Sequence, residues 1–177
     1  MRRIFLRNLT VRARPGRRSQ GLLRAGPLIV PVALGRGGIK ADKREGDGAT
    51  PRGRFRPRRL WWRADRLRQP RTLLPTRRIT QTAAWSEDPS DSNYNCLVSR
   101  SANEPGDRLW RSDALYDVFI ELDHNVRPRV AGRGSAVFIH VARPGFAPTA
   151  GCVALRLQDL VRLSQRIGPK TRITIHN

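Results

Sequence analysis

Short apolar runs, each closed by glycine, proline or polar turn residues, constrain this chain more than any other feature. An early run at residues 28–34 (LIVPVAL) contains a proline and ends at Gly35. Two later runs, residues 115–122 (LYDVFIEL) and 136–141 (AVFIHV), are rich in β-branched and aromatic residues. Runs of about four to eight such residues, bounded by turn formers, are typical of buried strands. We therefore predict a mainly β fold in which the two later runs pair as core strands.

Further strands are predicted at both ends of the chain. Residues 3–14 mix arginines with β-branched and large apolar residues in rough alternation, and residues 172–176 (RITIH) predict a closing strand. Residues 35–53 are rich in glycine and charge and are predicted to be a loop, as are residues 123–135.

One helix is expected near the end of the chain. Its apolar face is formed by Leu157, Leu160, Val161, Ser164 and Ile167, and Gly168-Pro169 would stop it. A chain of 177 residues has room for one domain with a real core, so we predict a single domain over residues 1–177.

Positive charge is concentrated in the first part of the chain. Residues 1–78 carry 23 basic and 4 acidic side chains, whereas residues 79–177 carry 12 and 10. This balance predicts an anionic partner, since net charge bears on partners more than on fold. Arginines near Phe55, Trp61 and Trp62 would also suit a nucleic-acid-binding module. That remains an alternative function, but no helix-turn-helix, RRM or zinc-finger pattern supports a nucleic-acid partner.

Several other classes are excluded. No stretch has the roughly 18 apolar residues that a membrane span requires. Two cysteines cannot form a disulfide framework, and without a CxxC or HExxH pair no metal site is expected. Residues 28–34 follow a basic start, as in a secretory signal, but no small-residue cleavage pattern comes after them. We interpret the run as a strand.

The candidate chemistry centres on Cys152, in the segment 149–153 (TAGCV) just before the predicted helix. A helix N-terminus favours a thiolate and would lower the thiol pKa from about 8.5 to between roughly 3.5 and 7.5. Gly151 lets the backbone approach a substrate carbonyl, and free N–H groups in the turn would stabilise an oxyanion. His140, at the end of a predicted strand, would be the base of a Cys/His couple for covalent acyl transfer.

The same residues also fit a plainer interpretation. A cysteine between glycine and valine is often a small buried hydrophobe, and a histidine after three apolar residues can be a hydrogen-bonded strand end. Cys96 has neither a glycine turn nor a helix start beside it, and we interpret it as structural.

Two segments resemble the L,D-transpeptidase (YkuD-like) catalytic domain. Residues 139–155 (IHVARPGFAPTAGCVAL) are similar to its active-site signature, a histidine followed by Ser/Thr-x-Gly-Cys-Val/Ile. Residues 46–55 (GDGATPRGRF) resemble its Thr-Pro-x-Gly-x-Phe/Tyr segment. Residues 88–95 and 132–144 look like a short proteobacterial branch of the family, so the likeness covers about residues 20–177.

This resemblance implies a mixed β-sandwich with one helix after the nucleophile. It implies that Cys152 is the nucleophile, that His140 is its base, and that the amides of Gly151 and Cys152 form the oxyanion site. Such enzymes cleave a peptidoglycan stem tetrapeptide after its third residue, release D-Ala and hold the acyl group as a thioester. They pass it to an amine of a neighbouring stem, which forms a cross-link.

The resemblance also implies partners, location and inhibitors. Peptidoglycan stem peptides, and other anionic envelope polymers, would be the partners, and no metal or organic cofactor is expected. Carbapenems would acylate the same cysteine. The substrate implies the periplasm or cell envelope, although no clear export signal is present in the sequence. With water as acceptor the same chemistry would make an L,D-carboxypeptidase, and the sequence leaves this alternative open.

Two departures from the family pattern affect substrate contacts. Ala154 stands where many members have arginine, and Ala150 stands where His or Arg is frequent. Arg143 or Arg156 is therefore a candidate partner of a substrate carboxylate, with a solvated surface arginine as the alternative. Weaker candidates for lining the substrate groove are His124, which could instead orient His140, together with Tyr94, Asn95 and Thr149.

Overall fold

A computed structural model describes residues 5–177 of the chain. This part contains fifteen strands, one short 3₁₀ turn at Pro144–Phe146 and one α-helix. The strands are β1 (Asn8–Arg14), β2 (Arg17–Ala25), β3 (Leu28–Ala33), β4 (Ile39–Lys40), β5 (Thr50–Pro51), β6 (Gly53–Phe55), β7 (Pro57–Trp62), β8 (Thr76–Arg78), β9 (Ala83–Trp85), β10 (Leu97–Ser99), β11 (Asp107–Arg108), β12 (Val118–Leu122), β13 (Phe138–Val141), β14 (Val153–Leu155) and β15 (Arg172–His176). The helix is α1 (Leu157–Ser164).

Ten of these strands form one mixed sheet in the order β6-β15-β1-β2-β3-β14-β13-β12-β7-β8. Three more form a small sheet in the order β10-β9-β11, and β4 pairs with β5. Most neighbours in the large sheet are antiparallel, but β1 pairs with β15, β13 with β14 and β7 with β8 in parallel. The fold is therefore mainly β, with one helix among the described residues, as the sequence predicted.

Side-chain alternation gives the central strands two buried faces. Ile120 of β12 and Ile139 of β13 belong to the large core, which also contains Leu160 of α1. Phe119 and Phe138, one position away, lie on the other face in a second cluster rich in aromatic residues. A strand that is buried on both faces is apolar at most positions, which explains why these runs are nearly continuous in the sequence. The exceptions are the buried Glu121 of β12 and His140 of β13.

Most predicted strands are present, with different ends. Residues 28–34 form β3, and the runs 115–122 and 136–141 form the shorter β12 and β13, which pair antiparallel. The first predicted strand starts later, at Asn8, and its residues 3–4 lie outside the described part of the chain. The sequence analysis did not predict β2, β7, β14 or the short strands β6 and β8 to β11, and the predicted loop 35–53 contains β4 and β5.

The predicted helix begins at Leu157, the first residue of its expected apolar face, but it is shorter than expected. It ends at Ser164, so Ile167 lies beyond it, although the Ile167 side chain is buried in the core. The prediction that Cys152 sits at the helix N-terminus is wrong, because β14 and Arg156 lie between this cysteine and the first helical residue. No helix within residues 5–177 is long and apolar enough to cross a membrane.

One arginine of the basic first part of the chain is a buried structural element. The Arg63 guanidinium, whose residue is only 3% exposed, makes two hydrogen bonds of 2.8 Å to the Asp65 carboxylate. It also donates to the backbone carbonyl of Arg111 at 2.8 Å and lies 3.5 Å from the centre of the Trp110 ring. Arg63 thus fixes the segment that leads into β12.

We expect Arg63→Gln to lower the free energy of unfolding by about 1–3 kcal/mol, because it removes a bidentate pair, a buried hydrogen bond and a cation–π contact. Arg68→Gln is the matched control, since Arg68 is exposed and has no ion pair among the described residues; it should change stability by less than about 0.5 kcal/mol. Urea unfolding of both variants measures the difference. Equal stabilities would contradict the structural role of Arg63.

Candidate active site

Parallel pairing of β13 with β14 brings the two predicted catalytic side chains to one face of the sheet. His140 pairs with Ala154, and Cys152 precedes Ala154 by two positions. Side chains two positions apart point to the same face, so the imidazole and the thiol are diagonal neighbours. Both are buried, and both line one cavity of about 290 Å³.

The Cys152 thiol is held by the backbone around it. Its Sγ accepts a hydrogen bond from the Phe138 N–H at 3.3 Å and donates to the Ala136 carbonyl at 3.1 Å. Burial raises the pKa of Cys152 to about 12, despite the Phe138 N–H, and the negative charges of Asp107 and Glu87 add to the increase. The sequence predicted a lowered pKa from a helix N-terminus; the structure contradicts this, because the thiol is buried and no helix starts beside it.

His140 is oriented by its own strand. Its Nδ1 lies 2.8 Å from the Val141 carbonyl oxygen, which can only accept, so Nδ1 carries the proton and Nε2 keeps a free lone pair. Burial lowers the pKa of His140 to about 4, and the charges of Arg143 and Arg111 act in the same direction. The ring also packs edge-on against Tyr116, with 5.5 Å between centroids. Imidazole and thiol are therefore both neutral at pH 7.

Gly151 allows the turn before Cys152 to pack tightly against the backbone of Ala49. Its φ is +147°, and a Cβ at this position would lie 2.8 Å from the backbone oxygen of Ala49. In the same place Thr50 donates its hydroxyl to the Cys152 carbonyl at 3.4 Å and accepts from the Gly35 N–H at 2.8 Å. The two segments that resemble family motifs, residues 46–55 and 139–155, are thus in contact around the cysteine.

The two amides proposed for the oxyanion site differ in whether their N–H group is free to donate a hydrogen bond to a substrate. The Gly151 N–H donates to the Thr149 hydroxyl at 3.1 Å, and this hydroxyl donates to the Cys152 carbonyl at 2.7 Å. The Cys152 N–H donates no hydrogen bond to another described residue. In this geometry Cys152 offers a free amide, whereas Gly151 does not. Thr149 lines the cavity, but its hydroxyl is used to shape the turn.

The cavity has charged walls that sequence reasoning missed. The Tyr116 hydroxyl donates to the Asp107 carboxylate at 2.6 Å, and burial raises the pKa of Asp107. Arg36 and Arg111 also line the cavity, as does Glu87. No local sequence signal marks Asp107, because only the tertiary fold brings residues 100–117 back over β13. For Arg36 the sequence did hold a signal of a position near the site, because this residue directly follows a predicted strand and Gly35.

Of the two candidate carboxylate partners, the structure brings one to the cavity. Arg143 lines it and is exposed. Arg156 does not line it, and its guanidinium instead lies 5.6 Å from the centre of the Phe146 ring. Arg143 is therefore the better placed of the two for a substrate carboxylate.

The Asn95 side chain is buried and fully hydrogen-bonded, and it does not line the cavity. Its Oδ1 accepts from Trp85 Nε1 at 3.0 Å and from the Ala136 N–H at 3.1 Å. Its Nδ2 donates to the carbonyls of His124 and Asn125. The Ala136 carbonyl in turn accepts from the Cys152 thiol, so Asn95 helps to hold the backbone that positions this thiol.

Tyr94 and His124 make their side-chain contacts with residues that do not line the cavity. The Tyr94 hydroxyl donates to the Glu45 carboxylate, and burial raises the pKa of Tyr94. His124 Nε2 lies 3.0 Å from the Arg133 carbonyl oxygen, and its ring packs edge-on against Phe55. Neither residue lines the cavity or makes a hydrogen bond to His140, and their role in the substrate groove stays a prediction.

Residues 5–177 hold no group of three or more His, Cys, Asp or Glu side chains placed to bind a metal ion.

Comparison with known proteins identifies the family. The family model of the L,D-transpeptidase catalytic domain, YkuD, matches residues 16–175, nearly the whole chain and all of the cavity described above. No curated protein and no solved structure matches the chain. On the strength of this match, the chain belongs to the YkuD family of L,D-transpeptidase catalytic domains.

Proposed function

We propose that this protein is a peptidoglycan L,D-transpeptidase in which Cys152 is the nucleophile and His140 is its base. The observation that carries the proposal is the shared cavity, where a buried thiol and an imidazole with a free Nε2 lie on one face of two parallel strands. The family supports action on peptidoglycan stem peptides.

In the first half-reaction His140 Nε2 removes the thiol proton while Sγ attacks the carbonyl carbon of the third stem residue. The free Cys152 N–H would donate to the developing oxyanion. When the C–N bond breaks, the imidazolium returns its proton to the amine of the departing D-Ala, which leaves a thioester on Cys152. The low pKa of His140 makes this imidazolium a strong acid toward the leaving amine.

In the second half-reaction the amine of a neighbouring stem attacks the thioester. His140 accepts the proton of this amine and passes a proton to the departing sulfur, so that a peptide bond forms and the thiol is restored. Attack by water instead would give the carboxypeptidase product. Transpeptidation and hydrolysis use the same two residues, so the acceptor, an amine or water, decides which product forms.

Charges at the cavity fit the substrate proposed here. Stem peptides carry carboxylates, and Arg36, Arg111 and Arg143 line the cavity together with the carboxylates of Glu87 and Asp107. Arginine forks bind carboxylates in a bidentate way, and we assign the substrate carboxylate to the exposed Arg143. A site of action in the cell envelope follows from this substrate.

A carbapenem should acylate Cys152. Intact-mass measurement after incubation should show one adduct on the wild type and on Cys96→Ser, the matched control for the second thiol. Cys152→Ala should show none, because the proposed nucleophile is missing. An equal adduct on Cys152→Ala would exclude Cys152 as the acylated residue.

Replacing His140 should slow the reaction without removing the thiol. We expect His140→Ala to lower the rate of D-Ala release from a stem tetrapeptide by at least about a hundredfold, the usual contribution of a general base. Thermal unfolding of the same variant separates loss of chemistry from loss of fold. Turnover close to that of the wild type, in a folded variant, would remove His140 from the mechanism.

Because the Cys152 thiol and the His140 imidazole are both neutral at pH 7, we expect a particular pH dependence of the acylation rate. The base works only when unprotonated, so the rate of carbapenem acylation should stay nearly constant from about pH 6 to 8 and fall below about pH 4, as His140 becomes protonated. Iodoacetamide should alkylate Cys152, in the Cys96→Ser background, at least about a hundredfold more slowly at pH 7 than free cysteine. Equal alkylation rates would show that a thiolate is present at rest.

A further inference from the structure

Four neighbouring strands of the large sheet, β6, β15, β1 and β2, present a basic face to solvent. Alternate residues such as Val11 of β1, Leu23 of β2 and Ile175 of β15 point into the core. The positions between them carry exposed arginines. We call this surface the arginine face and define it by Arg12, Arg24, Arg54 and Arg172.

Strand register confirms that these arginines share one surface. Thr10 pairs with Arg24 on one side and with Thr174 on the other, and Thr174 pairs with Arg54. Arg12 pairs with both Leu22 and His176 in the next row. Directly paired residues point to the same side of a sheet, so the arginine face extends across four strands, β6, β15, β1 and β2.

The positive charge of this face is not cancelled locally. Residues 5–41 and 172–177 contain no Asp or Glu, so β1, β2, β3 and β15 are free of acidic residues, as is β6. None of the four arginines has an ion pair among the described residues. An unpaired array of guanidinium groups calls for an anionic partner.

The arginine face lies on the same side of the sheet as the candidate active site. His140 pairs with Ala154, Ala154 with Ala33, and Ala33 with Gln20. Arg24 is four positions after Gln20 on β2 and therefore points to the same side. With strands about 4.8 Å apart, Arg24 lies roughly 20 Å from His140 along the sheet. A stem tetrapeptide spans at most about 14 Å.

We propose that the arginine face binds the carboxylate-bearing peptidoglycan polymer at a distance from the cavity, while one of its stems occupies the active site. This inference rests on the proposed function for the identity of the polymer. Charge complementarity supports it, since stem peptides are anionic. The shared side of the sheet favours a polymer over a lipid surface, because a polymer can cross the arginine face and still reach Cys152.

Binding to purified sacculi tests the proposal without catalysis. In a Cys152→Ala background, Arg12→Gln/Arg24→Gln should bind insoluble sacculi about tenfold more weakly than the parent at about 0.15 M salt. The matched control is Arg77→Gln/Arg78→Gln, which removes the same charge from exposed residues of β8. This control should stay within about twofold of the parent, and equal losses in the two double variants would overturn the proposal.

A second measurement separates this surface from the chemistry. In protein that retains Cys152, Arg12→Gln/Arg24→Gln should be acylated by a carbapenem at the wild-type rate, because the small inhibitor does not reach the arginine face. Absence of acylation in the wild type, together with a selective loss of sacculus binding in the variant, would reject the enzymatic proposal alone. Tighter binding to vesicles of anionic phospholipid, or to duplex DNA, than to sacculi would overturn the polymer assignment.

Discussion

The parallel pairing of β13 with β14 is the constraint on which the rest of the site depends. Its register places Ala154 opposite His140, and the two-residue period of a strand then carries Cys152 to the same face. A shift of one residue would turn the cysteine toward the large core. The close contact between Gly151 and the backbone oxygen of Ala49 holds the turn that enters β14, so this register depends on a residue without a side chain.

Burial determines the electrostatic state of the candidate catalytic pair. Removing the thiol and the imidazole from water disfavours the charged form of each, which raises one pKa and lowers the other. A resting thiolate–imidazolium pair is therefore unfavourable, and proton transfer accompanies attack on the substrate. Such a site is unreactive toward small electrophiles until a substrate that fits the cavity arrives, which protects a nucleophilic sulfur from adventitious modification.

The fold class and the central strands could be predicted from the sequence, because they depend on local patterns. A short motif indicated Cys152 and His140 as candidates, and the structure places both at one cavity. The sequence could not predict the thiol pKa, since the three residues of β14 separate Cys152 from the helix. Tyr116, Asp107 and Arg36 escaped prediction because only tertiary folding brings them to one cavity. The hydrogen bonds of Asn95 could not be predicted either, because a polar residue in a turn motif gives no sign that every hydrogen-bonding atom will be used internally.

The position of β15 in the sheet has a kinetic consequence. This strand, formed by Arg172–His176, lies between β6 and β1, so two strands from the beginning of the chain become neighbours only through one from its end. Contacts between residues far apart in the sequence form slowly, because closing a long loop costs conformational entropy before the contact stabilises the fold. The strand β6 therefore joins the large sheet only after residues 172–176 are in place, whereas the eight strands from β1 to β8 in the sheet order are contiguous without them.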